Sequence, residues 1–208
     1  MTPNPLIKIC GIKTPELAEQ AAKAGANFIG IVLHPQSKRY VSIEQAKTIA
    51  AASTENGATP VAVFVNHTFT QMQEICNITH IQTVQLQGDT ARKQHSQLPK
   101  HYQRFYVRSV DNDNEFNGCD PHRDYLLFDN KTAGSGKTFN WNALNYTGCF
   151  RIGIAGGLTV DNIVLAINKF HPAIVDVSTG VEDASGEKNI FLIQKFIKSV
   201  NNLKRELT

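Results

Sequence analysis

Apolar residues in this chain come in short runs of four to seven, each followed by a longer amphipathic stretch. "LIKIC" leads into "TPELAEQAAKAG", with Thr14 as N-cap, Pro15 at the first helical position and Gly25 as the stop. "FIGIVLH" precedes "SIEQAKTIAAAS", capped by Ser42; "PVAVFV" precedes "TFTQMQEICNI"; "TVQLQ" precedes "DTARKQHSQL". "RFYVRSV" runs into the polar "DNDNEFNG", and "YLLFD" into "NKTAGSGKTFNW" and a short helix near "WNALNY". "FRIGIA" precedes "TVDNIVLAINKF", and "AIVDVS" precedes "NIFLIQKFIKSV". The runs are continuously apolar rather than alternating, as in strands buried on both faces. Eight strand–helix units in series predict a parallel sheet closed into a (β/α)8 barrel. An open doubly wound sheet is the alternative. The first turn, "CGIKTPE", lacks the glycine fingerprint of a dinucleotide site. No linker or shift in composition divides the chain, so it is read as one barrel over residues 1–208.

Composition narrows the class. With 41% hydrophobic and 19% charged residues, the chain is ordinary for a globular protein. A net charge of +3, scattered along it, does not point to nucleic acid. No apolar run reaches the roughly 18 residues of a membrane span, and "MTPNP" is unlike a signal peptide. Cys10, Cys76, Cys119 and Cys149 are too dispersed for a disulfide framework or a zinc site, and a reducing cytoplasm is the expected setting.

Chemistry in such a barrel belongs at the C-terminal ends of the strands. The residues there are Cys10, then Ser37 and Arg39, Asn66, Gln87, Arg108 and Asp129, followed by "AGGL" and "DVSTG". Gly156 and Gly157 after strand seven, and Ser178, Thr179 and Gly180 after strand eight, suit a phosphate, because small residues let backbone N–H groups approach an anion. Either loop alone is equally well a helix-entry turn. Asp129 closes a strongly apolar strand, where desolvation raises a carboxyl pKa toward the range of a general acid; a plain loop carboxylate is the alternative. Cys10 fits a small core hydrophobe as well as a base or nucleophile whose pKa nearby positive charge lowers. Alternation puts Lys8 on the face of Cys10, and Asp176 on the face of Ser178. A Lys8–Asp176 pair inside the barrel would spare both an uncompensated buried charge. Arg39 suits a bidentate hold on a carboxylate, or is simply solvated. Gly134 and Gly136 suit a lid or a linker.

Together these segments resemble the phosphoribosylanthranilate isomerase family. The motifs are "KICGI", "SKRY", "VFVN", "LLFD" with "GSGKTF.W", "AGGL...N" and "VDVSTGVE...G.K", in order from Lys8 to Lys188. The resemblance implies an Amadori rearrangement of N-(5'-phosphoribosyl)anthranilate, with neither metal nor cofactor. It makes Asp129 the general acid at the ring oxygen and Cys10 the thiolate that removes the C2 proton. Arg39 holds the anthranilate carboxylate, and Gly156, Gly157 and Ser178–Gly180 the phosphate. Gln87, Gly134, Gly136 and Asp176 are counted as substrate-facing. The expected partner is the small-molecule substrate, with no nucleic acid or membrane, and the chain is expected as monomer or homodimer. Four positions depart from the family pattern: Gln87 replaces the histidine of V-Q-L-H-G, Ala133 a glycine, Asn140 an aspartate, and Thr179 a second serine. Rival readings are a related phosphosugar barrel, or a barrel that binds a phosphorylated ligand without acting on it.

Overall fold

The computed structural model describes residues 4–109, 118–130, 138–144 and 146–203. Eight parallel strands close in sequence order into a barrel: β1 (Leu6–Cys10), β2 (Phe28–Val32), β3 (Thr59–Phe64), β4 (Thr83–Leu86), β5 (Gln103–Ser109), β6 (Asp124–Asp129), β7 (Arg151–Ile154) and β8 (Ile174–Val177). The helices are α1 (Pro15–Ala24), α2 (Ile43–Glu55), α3 (Phe69–Thr79), α4 (Asp89–Lys93), α5 (Ile163–Phe170) and α6 (Ile190–Asn202).

Local sequence explains where the helices begin. Thr14 caps α1 by accepting from the Leu17 N–H, Pro15 occupies the first turn, and Gly25 ends the helix at φ +112°. Ser42 with Gln45, and Thr68 with Gln71, form capping boxes at α2 and α3. Two expected helices differ. The segment after β4 gives only the five residues of α4 and a 3-10 turn at His95–Gln97. Gly88 offers no side-chain cap there, and Arg92 turns away to the carbonyls of Gln87 and Val107. Near "WNALNY", residues 138–144 hold a turn rather than a helix. The Asn140 side chain accepts from the Asn142 N–H, a local bond that competes with helix formation.

Strand alternation sorts side chains into two layers. Outward residues such as Ile7, Ile9, Ile29, Ile31, Phe64 and Val84 meet helix residues such as Ala18, Ile49, Met72 and Phe196 in the main core. A separate cluster, with Phe28, Val61, Phe105, Tyr125, Leu127 and Ile174, fills the barrel itself. Phe105 stacks on Tyr125 with ring centroids 5.2 Å apart, and Phe28 meets Phe105 edge-on at 5.2 Å. That apolar plug closes the lower barrel and leaves polar chemistry to the other end.

On the outer face, the fully buried Arg104 grips the fully buried Asp124 with two hydrogen bonds, Nε donating at 2.6 Å. Removing one partner strands the other's charge without water. Arg104→Met is expected to lower the unfolding free energy by about 3–5 kcal/mol. Adding Asp124→Leu should recover most of that loss, as urea denaturation of the two variants will show.

Candidate active site

A cleft of about 420 Å³ opens at the carboxyl ends of the strands, lined by residues that include Cys10, Arg39, Gln87, Asp129, Gly156 and Ser178. Gly157, Thr179, Gly180, Asp176 and Ser37 line it as well, whereas Asn66 and Arg108 do not. Gly134 and Gly136 lie outside the described residues, and so does the lid reading of their loop.

The first wall is built on β1 and β8, which pair with Lys8 opposite Asp176. Lys8, fully buried, donates to Asp176 Oδ1 at 3.0 Å, as side-chain alternation predicts. The Lys8 ammonium also lies beside Cys10 and interacts with it electrostatically. Burial pulls the Lys8 pKa down, but the carboxylate and thiol beside it more than offset this and leave it raised. Room for the three groups comes from β2: a Cβ on Gly30 would meet Cys10 Sγ at 2.7 Å and Lys8 Nζ at 3.0 Å. For Cys10, burial is the strongest influence and raises the thiol pKa; Lys8 and Lys188 lower it and Asp176 raises it. Positive charge does act to lower this thiol's pKa, the condition set for a base, but it does not bring the thiol below its ordinary value. The ammonium is in place, but desolvation outweighs it.

Asp129 ends β6 on the other side. Its Oδ1 accepts from the Asn130 N–H at 2.7 Å and its Oδ2 from Gln87 Nε2 at 3.1 Å. Burial, and then the like charge of Asp176, push its pKa up to about 6, against the two hydrogen bonds and the charge of Lys8. The β7 loop shapes this acid. Gly156 sits at φ +77°, and a Cβ there would lie 2.7 Å from Asp129 Oδ1. Asn162 pins the loop, accepting from the Thr159 N–H and donating to the Gly157 carbonyl. The β8 loop packs directly against it, since a Cβ on Gly180 would lie 1.9 Å from the Leu158 carbonyl oxygen. The two small-residue loops thus form one continuous wall.

Arg39 is already engaged. Its Nε donates to Glu182 Oε1 at 2.6 Å, and Nη2 donates to Glu182 Oε2 at 3.2 Å and Thr179 Oγ1 at 3.1 Å. The Nε/Nη2 fork expected for a ligand carboxylate is spent on Glu182, and Nη1 is the arm that remains. Lys188, 3% exposed, donates to Glu182 Oε1 at 2.6 Å and to the Ser178 carbonyl and hydroxyl at 3.0 and 3.2 Å. Burial lowers the Lys188 pKa, an effect Glu182 partly offsets. Burial also works against the Glu182 carboxylate, but Arg39 and Lys188 hold its pKa below its ordinary value. Ser178 Oγ in turn donates to the Cys10 carbonyl at 2.9 Å. One network therefore joins Arg39, the β8 loop and the strand that carries the thiol.

Glu182, Lys188, Gly30 and Gln85 carry this geometry without having been singled out by residue type. The signal for Glu182 and Lys188 was their place in "VDVSTGVE...G.K". For Gln85 it was the i, i+2 spacing from Gln87 in an apolar strand. Among the described residues no group of three or more His, Cys, Asp or Glu side chains is arranged to hold a metal ion. No described helix is long and apolar enough to cross a membrane.

The closed parallel barrel, with its polar cleft confined to the carboxyl ends of the strands, is that of a (β/α)8-barrel enzyme. The model of the N-(5'-phosphoribosyl)anthranilate (PRA) isomerase family matches residues 7–199, and the chain belongs to that family. An N-(5'-phosphoribosyl)anthranilate isomerase of Streptococcus pneumoniae is 39% identical over 197 residues, covering 94% of this chain and 96% of the relative. Dimeric phosphoribosylanthranilate isomerase from Thermotoga maritima, solved as generated monomers, superposes with a TM-score of 0.79 at 30% identity, over 95% of this chain and 99% of that one. A phosphoribosyl anthranilate isomerase in complex with reduced 1-(o-carboxyphenylamino)-1-deoxyribulose 5-phosphate superposes at 0.76 and 28% identity, again over 95% and 99% of the two chains.

Lys8 is the positive charge nearest the thiol, so Lys8→Met is expected to raise the Cys10 pKa further. Alkylation of Cys10 by iodoacetamide at a fixed pH should slow roughly tenfold, one pKa unit of lost thiolate. Mass spectrometry of the Cys10 peptide separates this from reaction at the exposed Cys149.

Proposed function

We propose that the chain isomerises N-(5'-phosphoribosyl)anthranilate to 1-(o-carboxyphenylamino)-1-deoxyribulose 5-phosphate, with Asp129 as general acid and Cys10 as general base. The observation that carries this reading is the single cleft lined by Asp129, with its pKa at about 6, by the thiol held against an ammonium, and by the two adjoining small-residue loops. Asp129 gives its proton to the furanose ring oxygen, the C1–O bond breaks, and the anthranilate nitrogen lone pair completes a C1–N Schiff base. Cys10, as thiolate, takes the C2 proton, and the electron pair moves to the C1–N unit to give an enolamine. Tautomerisation leaves a ketone at C2 and a reduced carbon at C1, so the reaction is an internal oxidation–reduction. Lys8 stabilises the thiolate while the base works.

Arg39 Nη1 takes the anthranilate carboxylate, its guanidinium held in place by Glu182. Gly156, Gly157 and Ser178–Gly180 take the phosphate through backbone N–H groups. The partner is this small molecule, and a homodimer is the assembly that the Thermotoga maritima relative favours.

The resting cleft holds its protons on the opposite partners. Between about pH 6 and the raised thiol pKa, Asp129 is a carboxylate and Cys10 a neutral thiol. The reactive pair, carboxylic acid with thiolate, has the same total number of protons, one of them moved. kcat/KM is therefore expected to be flat across that window. It should fall below about pH 6, where the thiol keeps its proton and Asp129 gains one, and fall again above the thiol pKa, where Asp129 has none. A decline as the pH rises above about 6 would remove Cys10 from the rate-determining step.

The direct test follows loss of substrate fluorescence with the wild type, Cys10→Ala and Asp129→Asn. The wild type should consume substrate, and each variant should lose about 10²–10⁴-fold in kcat while remaining folded. A folded wild type that binds the product but does not turn over would leave the chain a binder.

A further inference from the structure

Gln85 and Gln87 both face the cleft from β4 and the residue that follows it, and they form a directed chain of amides. Gln85 Nε2 donates to Gln87 Oε1 at 2.6 Å, and Gln87 Nε2 donates to Asp129 Oδ2 at 3.1 Å. The direction is dictated from the Asp129 end. An ionised carboxylate only accepts, so Gln87 must turn its NH2 toward it and its carbonyl toward Gln85. Gln85, 3% exposed, must then present its own NH2, and its Oε1 is left buried with no hydrogen-bond partner. A buried acceptor without a partner is costly. That arrangement makes sense when the side chains are set by the carboxylate rather than by the surroundings of Gln85.

We infer that Gln87, its amide held in one orientation by Gln85, is a positioning residue that sets how readily Asp129 keeps its proton. This rests on the reading of Asp129 as the general acid. The other charges on Asp129 come from Asp176 on β8 and Lys8 on β1, and the backbone N–H of Asn130 takes its second oxygen. At its own level, β5 offers the neutral Ser109, and the residue after β7 is the neutral Ala155. Gln87 is the side chain that hydrogen-bonds this carboxyl, and it carries no charge of its own to titrate. An N–H donated to the ionised form favours that form, so Gln87 holds the acid below the value that burial and Asp176 alone would give.

The test is a carbon-13 NMR titration of Asp129 in protein labelled at the aspartate carboxyls, without ligand. Wild-type Asp129 should titrate at about 6. In Gln87→Met, which fills the half-buried position without a donor, it should move up by roughly one unit, tenfold in the dissociation constant. Gln85→Leu should move it the same way by less, because Gln87 keeps its donor and loses only its restraint. Gln87→His, whose ring N–H can replace the amide donor, should bring it back toward the wild-type value. The lower pH limit of kcat/KM should follow the titration in Gln87→Met, with KM unchanged. An unmoved titration, or a raised KM with an unmoved titration, would overturn the inference and make Gln87 a substrate contact. A shifted titration in a protein that turns over no substrate would keep the amide chain and remove the proposed reaction.

Discussion

A lysine inside a closed barrel has nowhere to put its charge except on a neighbouring strand, and that constraint organises this molecule. Lys8 and Asp176 face one another across the β1–β8 seam, where the sheet closes on itself. Sliding either strand by one residue would turn its charge out of the barrel, into the apolar layer under the helices, and leave the other charge unpaired inside. The pair therefore fixes a register as well as neutralising two charges. With that register set, Cys10 stands two residues above Lys8 and Ser178 two residues above Asp176, so thiol and hydroxyl rise on one wall. The bond from Ser178 Oγ to the Cys10 carbonyl ties the rim together at the same seam.

The cleft above this pair is nearly balanced in charge. Lys8 serves Asp176 and Cys10, while Lys188 and Arg39 share Glu182. Desolvation is the strongest influence on Cys10 and Asp129 alike, and it pushes both toward their neutral forms. Asp176 adds to it at both groups and Lys8 opposes it, so the ordinary gap between a carboxyl and a thiol persists and decides where the proton rests. A bound anionic substrate enters as a further charge in the same small volume. The β8 loop proposed for its phosphate is supported by Lys188, so binding there and the position of the proton would be coupled through one network.

The barrel was legible because its evidence is redundant. Short apolar-rich strands recur eight times and α1, α2, α3 and α6 each carry a side-chain cap in the sequence, so losing one signal costs little. The helix expected near "WNALNY" failed where the local signal was single, and an Asn140 side-chain bond outcompeted it. Cys10 and Asp129 were legible because strand ends are named by the fold. The Lys8–Asp176 contact was legible because alternation and barrel closure leave no other geometry. What escaped was which long side chain answers which. Arg39 on the β2 loop meets Glu182 on the β8 loop, a pairing 143 residues apart that depends on loop paths no periodicity records. Gly30 escaped for a related reason: its role is the space it leaves for Lys8 and Cys10, and an empty volume has no residue type.

The Arg39–Glu182–Lys188 network holds three rim side chains in place on folding. A free arginine loses rotamer entropy when it grips a carboxylate, and the rim of a barrel is where such side chains are least restrained. Here the loss is taken on folding. Glu182 clamps the Nε/Nη2 edge, and Lys188, anchored on the Ser178 carbonyl, clamps Glu182. The arm that is left is a weaker single contact than a full fork, but it is already aimed. The same lysine holds the loop that adjoins the Gly156–Gly157 turn, so the arginine proposed for a ligand's carboxylate and the loops proposed for its phosphate are braced by one buried ammonium. In the proposed reaction, a ligand fixed at both ends would present its middle to Cys10 and Asp129.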